Sequence, residues 1–566
     1  MIRVGRHARG IAVEPDDDAD CNPETMQLEV SLKGYDAVIS RGRLLVPISA
    51  AGALLNALGS DGVVWDEELL KAARRQVGHR QMQVAAREEV ALALKNPREA
   101  LKGYKRLHRL DVHQIEAVAA MVTPSLRGIA VFDEQGTGKT IMALAAFDWL
   151  RIHHKVDRLL VIAPKSVLAA WQVECRGFLG DQHRVILLSG SPAERRRGLL
   201  SPHDVVLVSY EAAVASKAIL LTAVSATPGR YMLIIDESYF VKNAATARAR
   251  LVRRLREPCE RAVLLCGTPA PNSALDIINQ IDIVDEGIAF AGRKIPKEPK
   301  AEYEEVAYAL QDVIYLRRLK EQVLPSLPPK EIEKVYLDLT SRQRVLYDGA
   351  CRELILQVRE IDDRQFTRRL ASFLAKRVRL LQICSNPRSV DPLYAEVPGK
   401  LLALDRLVHE LLDEQEKKVV IWSYFRVSLD EIAARYRAYG LVKIDGTVVR
   451  IEDRLKAVEQ FQCDPAIRVF VGNPAAAGAG ITLTAAHHSV YESFSNQAAH
   501  YLQSIDRIHR RGQSQQTTAH ILISRDTLED REYERLIRKE RMGRELLGDH
   551  YEELITRQRF LAELGG

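Results

Sequence analysis

Apolar and polar positions along this chain change their period several times, and the changes mark its organisation. From about residue 112 onward, short apolar runs rich in β-branched residues alternate with longer amphipathic stretches: GIAVF, RLLVIAP, DVVLVSY, YMLIIDE and RAVLLCG. Continuous apolar runs predict strands buried on both faces, and hence a parallel sheet between two layers of helices. A second series follows residue 398: KKVVIWSY, GLVKIDG, IRVFVGN, HHSVYESF and TAHILIS. The pattern predicts an α/β protein with one lobe over 101–294 and another over 398–540. Between them, over 295–397, charged helical text such as YLRRLKEQVLPSLPPK and RQFTRRLASFLAKRVRLLQIC predicts helical insertions around a proline-marked linker. Residues 1–100 read as a small α+β domain, with MQLEVSL, DAVIS and RLLVPIS as strands and residues 65–96 as one or two amphipathic helices. Residues 541–566 read as a C-terminal helix.

Composition narrows the class. A chain of 566 residues has room for about three to five folding units. With 47% hydrophobic and 28% charged residues it is ordinary globular text, which excludes a disordered chain or a coiled coil for most of its length. The formal charge of +6 suits a polyanion partner without proving one. No window approaches the roughly 18 uninterrupted apolar residues of a membrane span, and MIRVGRHARGIAVEPDDDAD lacks the apolar core of a secretory signal. A cytoplasmic protein without membrane contact is expected. The cysteines, Cys21, Cys175, Cys259, Cys266, Cys351, Cys384 and Cys463, show neither C-x-x-C nor zinc-ligand spacing, so they are expected to be reduced and mostly buried.

The strongest local signal is GIAVFDEQGTGKTIMALAAFDWL, an apolar strand running through a glycine-containing turn directly into a helix. Such a turn aims backbone N–H groups and a helix N-terminus at phosphate. Lys139 would then supply a cation to the β and γ phosphates, and Thr140 a hydroxyl to Mg²⁺. Asp133 stands where G-x-x-x-x-G-K-[ST] has its first glycine. A second apolar strand, YMLIID, ends in adjacent carboxylates, Asp236 and Glu237. Alone, such a pair is usually a solvated turn. Beside a phosphate loop it can serve Mg²⁺ with one carboxylate and orient or deprotonate the attacking water with the other.

Together these residues resemble the Swi/Snf-like family of helicase superfamily 2, the ATP-driven double-stranded DNA translocases. In that family the phosphate loop reads DE-x-G-x-GKT, the form of DEQGTGKT here. The resemblance extends in order over about residues 107 to 540. LHRLDVHQIEAVAAM resembles the adenine-side motif, with Gln114 as the base-reading amide. LVIAPKSVLAAWQVE and VVLVSYEAA resemble strand-end motifs that touch the DNA backbone. CGTPAPN, centred on Thr268, resembles the motif that couples hydrolysis to lobe movement. YLRRLKEQVLPSLPPK, SRQRVLYDG and LLQICSNP resemble the lobe-connecting region. Gln503, Asp506, Arg507, Arg510, Gly512 and Gln513 fit Q-x-x-D-R-x-x-R-x-G-Q, where the family places its arginine fingers.

The resemblance implies two RecA-like parallel-sheet lobes and an ATP site between them. Its catalytic residues would be Lys139, Asp236, Glu237, Arg507 and Arg510, with Thr140 and Asp236 holding Mg²⁺. Nucleotide contacts would come from Gln114, from Asp133, Glu134, Gln135, Gly136, Thr137, Gly138, Lys139 and Thr140 of the loop, and from Gly480 and Asp506. Two departures stand out. Tyr239 replaces the last residue of DEAH or DEGH, and AAAGAGITLTAA has Ala479 and Thr482 where a Gly-Gly pair and Asn are common.

The expected partner is double-stranded or branched DNA held by its phosphates, which makes binding sequence-independent and salt-dependent. Basic clusters lie near Arg195, Arg253, Arg317 and Lys376, with few aromatics among them, a pattern that favours duplex tracking over single-strand stacking. The alternatives are the motor of a restriction or phage-defence assembly, and an ATP-gated DNA clamp. By analogy, residues 1–100 would recognise a DNA structure or a protein partner as a dispensable accessory.

Overall fold

The computed structural model describes residues 2–7, 10–14, 38–40, 43–47, 50–270, 274–291, 293–296, 298–414, 417–448, 450–477, 481–493, 498–546, 561 and 564. MQLEVSL, Cys21, Ala479, Gly480 and 547–560 of the expected C-terminal helix lie outside the described residues.

The front lobe is a seven-stranded sheet in the order Tyr315–Leu316, Gly128–Val131, Arg261–Leu265, Tyr231–Asp236, Arg158–Ala163, Val205–Ser209, Val185–Leu188. Every pairing is parallel. Side chains alternate between two cores: Ile129, Val131, Leu159, Val161 and Ile234 pack on one face, and Ala130, Phe132, Leu160, Ile162 and Ile235 on the other. Both faces are dry because helices cover both, which is why the runs read as continuous apolar text. The rear lobe repeats this design in six parallel strands: Lys330–Leu337, Thr517–Ser524, His488–Tyr491, Val419–Trp422, Val469–Gly472, Leu441–Ile444. A third sheet, mixed in direction, belongs to the N-terminal region.

Three boundaries need correction. The interval 295–397 is not only helix and linker. It gives Tyr315–Leu316 to the front sheet and Lys330–Leu337 to the rear one, so the true inter-lobe connection is about residues 317–329. KEIEKVYL escaped notice because it is an edge strand whose charged side chains are mostly exposed, the usual protection of an open edge. The C-terminal helix begins at Leu528 rather than 541, and its first turns pack into the rear lobe. There, buried Lys400 pairs with Glu529 at 2.6 Å and Arg377 with Glu532 at 2.5 Å.

The third correction concerns residue 100. A single 29-residue helix, Glu67–Lys95, starts at the Asp66 cap, whose side chain accepts from the Leu69 N–H. Its first turns, at Leu69 and Ala73, complete the N-terminal core. Its last turns, at Ala86 and Val90, belong to the front-lobe core. Glu89 also accepts from Ser125 Oγ at 2.6 Å, and Arg87 donates to the Gln311 carbonyl at 2.8 Å. The accessory region and the front lobe therefore share one rigid element. Of the described cysteines, all free, only Cys463 is exposed.

This shared helix makes truncation position-dependent. Removing residues 1–65 should leave the front lobe folded. Removing 1–100 strips Ala86 and Val90 from its core and should lower Tm by roughly 5 °C or more, at about 2–4 °C per kcal/mol for a domain of this size. Paired thermal melts of the two truncations check this.

Candidate active site

The front lobe's parallel strands all point their carboxyl ends to one edge, the edge at which open α/β sheets place ligands. Three strand ends meet there: Gly128–Val131 runs into the glycine loop, Arg261–Leu265 into Gly267 and Thr268, and Tyr231–Asp236 into the carboxylate pair. The loop closes at Gly136 and Gly138, both left-handed with φ of 83° and 87°. A Cβ on Gly138 would lie 2.2 Å from Gln114 Nε2, so both backbone conformation and space require glycine. The helix Lys139–Ile152 starts at once, so its first N–H groups face the loop. Lys139 Nζ donates to the carbonyls of Asp133 at 2.8 Å and Glu134 at 3.1 Å, and Thr137 Oγ1 donates to Glu134 O at 2.9 Å.

Two residues expected to touch nucleotide brace the loop from behind. Gln114 accepts from the Asp111 N–H at 3.0 Å and donates to the Thr137 carbonyl at 3.1 Å, so both ends of its amide are engaged. Asp133 is fully buried and receives the Arg318 guanidinium, with Nη2 at 2.5 Å. Arg318 comes from YLRRLK, which therefore is not a free basic cluster. Arg317 donates to the carbonyls of Phe132 and Gly267, and Arg318 also reaches Glu116 at 3.2 Å. Backbone bonds continue the contact: Phe132 N–H to Leu316 O at 2.8 Å, Glu134 N–H to Arg318 O at 2.9 Å, and Lys320 N–H to the Glu134 carboxylate at 2.8 Å.

Asp236 accepts from Trp171 Nε1 at 2.7 Å and from the Glu237 N–H at 2.9 Å. Burial raises its pKa, opposed by the Trp171 bond and the Lys139 charge. Glu237 sits in the left-handed region, φ 49°, directly after the strand ends at Asp236. Burial first and the neighbouring Asp236 charge second push Glu237 up to about 7, against the pull of Lys139 and Arg507. Its Oε2 is buried without a well-formed hydrogen bond, as are Gln135 Nε2 and Thr268 Oγ1 nearby. A polyanion with its attacking water would satisfy such groups. Thr140 and Asp236 offer the hydroxyl and carboxylate oxygens that suit Mg²⁺.

The rear lobe delivers its arginines to this edge. Arg507 is anchored by Nε to Gln503 O at 2.6 Å and by Nη1 to Ile481 O at 3.2 Å, while Nη2 approaches Gln135 Oε1 at 3.4 Å. Burial, reinforced by Arg510, lowers Arg507 to about 10, while Asp506 and Glu237 hold it charged. Arg510 donates to Thr482 Oγ1 at 2.8 Å, and its Cβ would lie 3.5 Å from a Cβ on Gly136. Both arginines thus lie against the phosphate loop. Asp506 is not placed as a nucleotide contact: it pairs with Lys320 Nζ at 2.5 Å.

Two participants were not singled out from sequence. Trp171 and Lys320 carried no signal beyond the segments containing them, because the partner of each is remote in sequence. Gln503 faces both Glu237 and the Tyr239 hydroxyl, so a phenol occupies the position of the missing histidine in a polar contact between lobes. Burial and the Glu237 charge hold that phenol well above its ordinary range.

Comparison with known proteins agrees with this layout. The SNF2-related domain model matches residues 113–389, and the helicase conserved C-terminal domain model matches 399–512. The ISWI chromatin-remodeling complex ATPase ISW1 of Saccharomyces cerevisiae is 28% identical over 466 residues, covering 77% of this chain and 40% of that protein. The Caenorhabditis elegans homologue of SWI/SNF-related matrix-associated actin-dependent regulator of chromatin subfamily A-like protein 1 is 28% identical over 446 residues, covering 75% of this chain and 60% of its own length. Human DNA annealing helicase and endonuclease ZRANB3 is 26% identical over 453 residues, covering 75% and 39%. The chain thus spans 39% to 60% of these relatives.

The loop brace yields a stability prediction. Arg318→Ala leaves Asp133 buried and unpaired and should cost about 3–5 kcal/mol. Urea unfolding of the variant against wild type measures it.

Proposed function

Because this chain belongs to the Swi/Snf-like, SNF2-related branch of superfamily 2, we propose that it is a DNA-dependent ATPase that converts ATP hydrolysis between its lobes into movement along duplex DNA. One observation carries the reading: Arg507 and Arg510 of the rear lobe lie against the phosphate loop of the front lobe, and Arg507 is within the field of Glu237.

In this reading Lys139 exchanges its two loop carbonyls for β- and γ-phosphate oxygens, joined by the N–H groups at the start of its helix. Thr140 and Asp236 would hold Mg²⁺, which would supply neutralisation of phosphate charge there. Glu237 takes a proton from the attacking water, a role suited to a carboxylate lifted towards neutrality. Arg507 and Arg510 stabilise the charge that develops on the transferred group, which they can do only while the lobes are closed. Base reading by Gln114 would require it to give up its Thr137 bond.

The phosphates of the nucleic acid would run along the mouth of a cavity between the lobes, where Lys165, Ser166 and Arg195 of the front lobe face Arg454 of the rear. Further cations are available on the helix Asp363–Ser385. Arg364, Arg368 and Arg379 lie opposite its buried residues Phe366, Phe373, Arg377 and Leu380, are exposed, and make no ion pair among the described residues. Contacts of this kind grip phosphates and ignore sequence.

A steady-state ATPase assay with and without duplex DNA tests the proposal, and a rate indifferent to DNA would overturn it. Arg507→Ala should lower kcat by about 10³ with nucleotide still bound, whereas Glu237→Gln should bind ATP and fail to hydrolyse it. In free protein kcat/KM should rise with pH through about 7, as Glu237 loses its proton, and level off above. Triplex displacement by wild type but not by Lys139→Ala separates a motor from an ATP-gated clamp. Replacing Arg364, Arg368 and Arg379 with Ala should reduce the log–log salt slope of DNA binding by about one for each arginine that meets a phosphate.

A further inference from the structure

The connection between the lobes does more than join them. From Leu316 to Lys320 it is bonded along the back of the phosphate loop, and Lys320 closes this run with its N–H fixed to the Glu134 carboxylate at 2.8 Å. The Lys320 side chain then leaves the front lobe. Its Cε would lie 3.1 Å from a Cβ on Gly136, and its Nζ binds Asp506 at 2.5 Å and the His509 carbonyl at 3.0 Å. Asp506 and His509 each immediately precede one of the two arginines, Arg507 and Arg510, in one short segment. The ion pair is almost wholly buried, with side-chain exposures of 6% and 10%. Lys330 adds a second, weaker positive field at Asp506.

Backbone and side chain of one residue therefore serve different lobes. The backbone is fixed to the loop that would hold the phosphates, and the ammonium is fixed to the segment that would deliver the guanidiniums. The bond to Asp506 forms only when the rear-lobe segment is docked, the same condition that brings the arginines to the loop.

We propose that Lys320 is a positioning residue that latches the arginine segment onto the phosphate loop, so that docking of Asp506 on Lys320 and insertion of Arg507 and Arg510 are one event. The proposal rests on the reading of the cleft as an ATP site. Lys320 touches no reacting atom. It acts through Asp506, and its loss should leave the phosphate loop able to bind nucleotide while impairing closure.

The test combines Lys320→Met, the conservative Lys320→Arg, and the double variant Lys320→Met/Asp506→Leu, in which neither buried charge remains. Three quantities are read for each at saturating duplex DNA: Kd for a fluorescent ATP analogue, kcat, and Tm. Lobe closure is read as energy transfer between dyes on the exposed Cys463 and on Arg196→Cys in a Cys21→Ser background. Lys320→Met should keep the Kd within about threefold, lose roughly a hundredfold in kcat, and close less on analogue binding. Lys320→Arg should recover most of the kcat. The double variant should regain wild-type Tm, since a buried pair is replaceable by apolar packing, while its kcat stays low.

A Lys320→Met kcat within twofold of wild type would overturn the proposal. So would a double variant whose kcat returns together with its Tm, because the pair would then be merely structural. Wild-type protein that neither binds nor hydrolyses ATP would instead reject the ATP-site reading, and the latch with it.

Discussion

The arrangement depends on charges that cannot be left unpaired. Two sheets that share no strand are held at a working distance by a short segment whose cations are matched to acids from both sides: Arg318 to Asp133 in the front lobe, Lys320 to Asp506 in the rear. Taking these groups out of water is costly, and each is tolerated only while its partner is in place. The registration of loop against arginines is therefore discrete. A sliding interface would expose one member of a pair with nothing to replace water, whereas the observed interface satisfies both. Such pairing gives specificity of geometry more than it gives stability, which suits the proposed cleft that opens and recloses in the same register.

The same low-dielectric setting explains the titration pattern of the cleft. Asp236 and Glu237 are raised by burial, and Arg507 and Arg510 are lowered by it. Neither set is comfortable alone. Two buried guanidiniums side by side favour an anion, and two buried carboxylates favour a cation or a proton. A triphosphate with its counter-ion supplies both. The electrostatic strain of the cleft is thus complementary to the ligand its loop geometry already suits, and this complementarity requires no rearrangement of the strands that carry the groups.

Much of this was legible in sequence where the relevant residues are contiguous. DEQGTGKT, the carboxylate pair and the arginine segment each contain their own spacing, and the parallel sheets announce themselves because helices bury both faces. What could not be read was pairing across the chain. Asp133 and Asp506 sit inside nucleotide motifs and look like ligands, yet their partners lie 185 and 186 residues away in YLRRLK. That segment in turn looks like a solvent-facing basic cluster because its acids are invisible locally. Lys330–Leu337 hid for a related reason: an edge strand has one neighbour, so its exposed charges erase the apolar run. The helix Glu67–Lys95 was legible as a helix, but nothing in its text shows that its two ends belong to different cores.

The missing histidine after the carboxylate pair bears on how nucleic acid and nucleotide are linked. Two contacts bridge that gap without it. Trp171, which donates to Asp236, lies on the helix Leu168–Leu179 that directly follows Lys165 and Ser166 at the mouth of the inter-lobe cavity, so a load on that mouth bears on a carboxylate of the proposed nucleotide site. Tyr239 meets Gln503 beside Glu237, which places a rear-lobe amide at the second carboxylate. A tryptophan ring is rigid, with two rotatable bonds and one donor, and a buried phenol of raised pKa stays protonated throughout the physiological range. Coupling through these groups is therefore a matter of position, insensitive to protonation. Among the bridging groups, the pH dependence belongs to the buried carboxylate pair, Asp236 and Glu237, both of which burial raises.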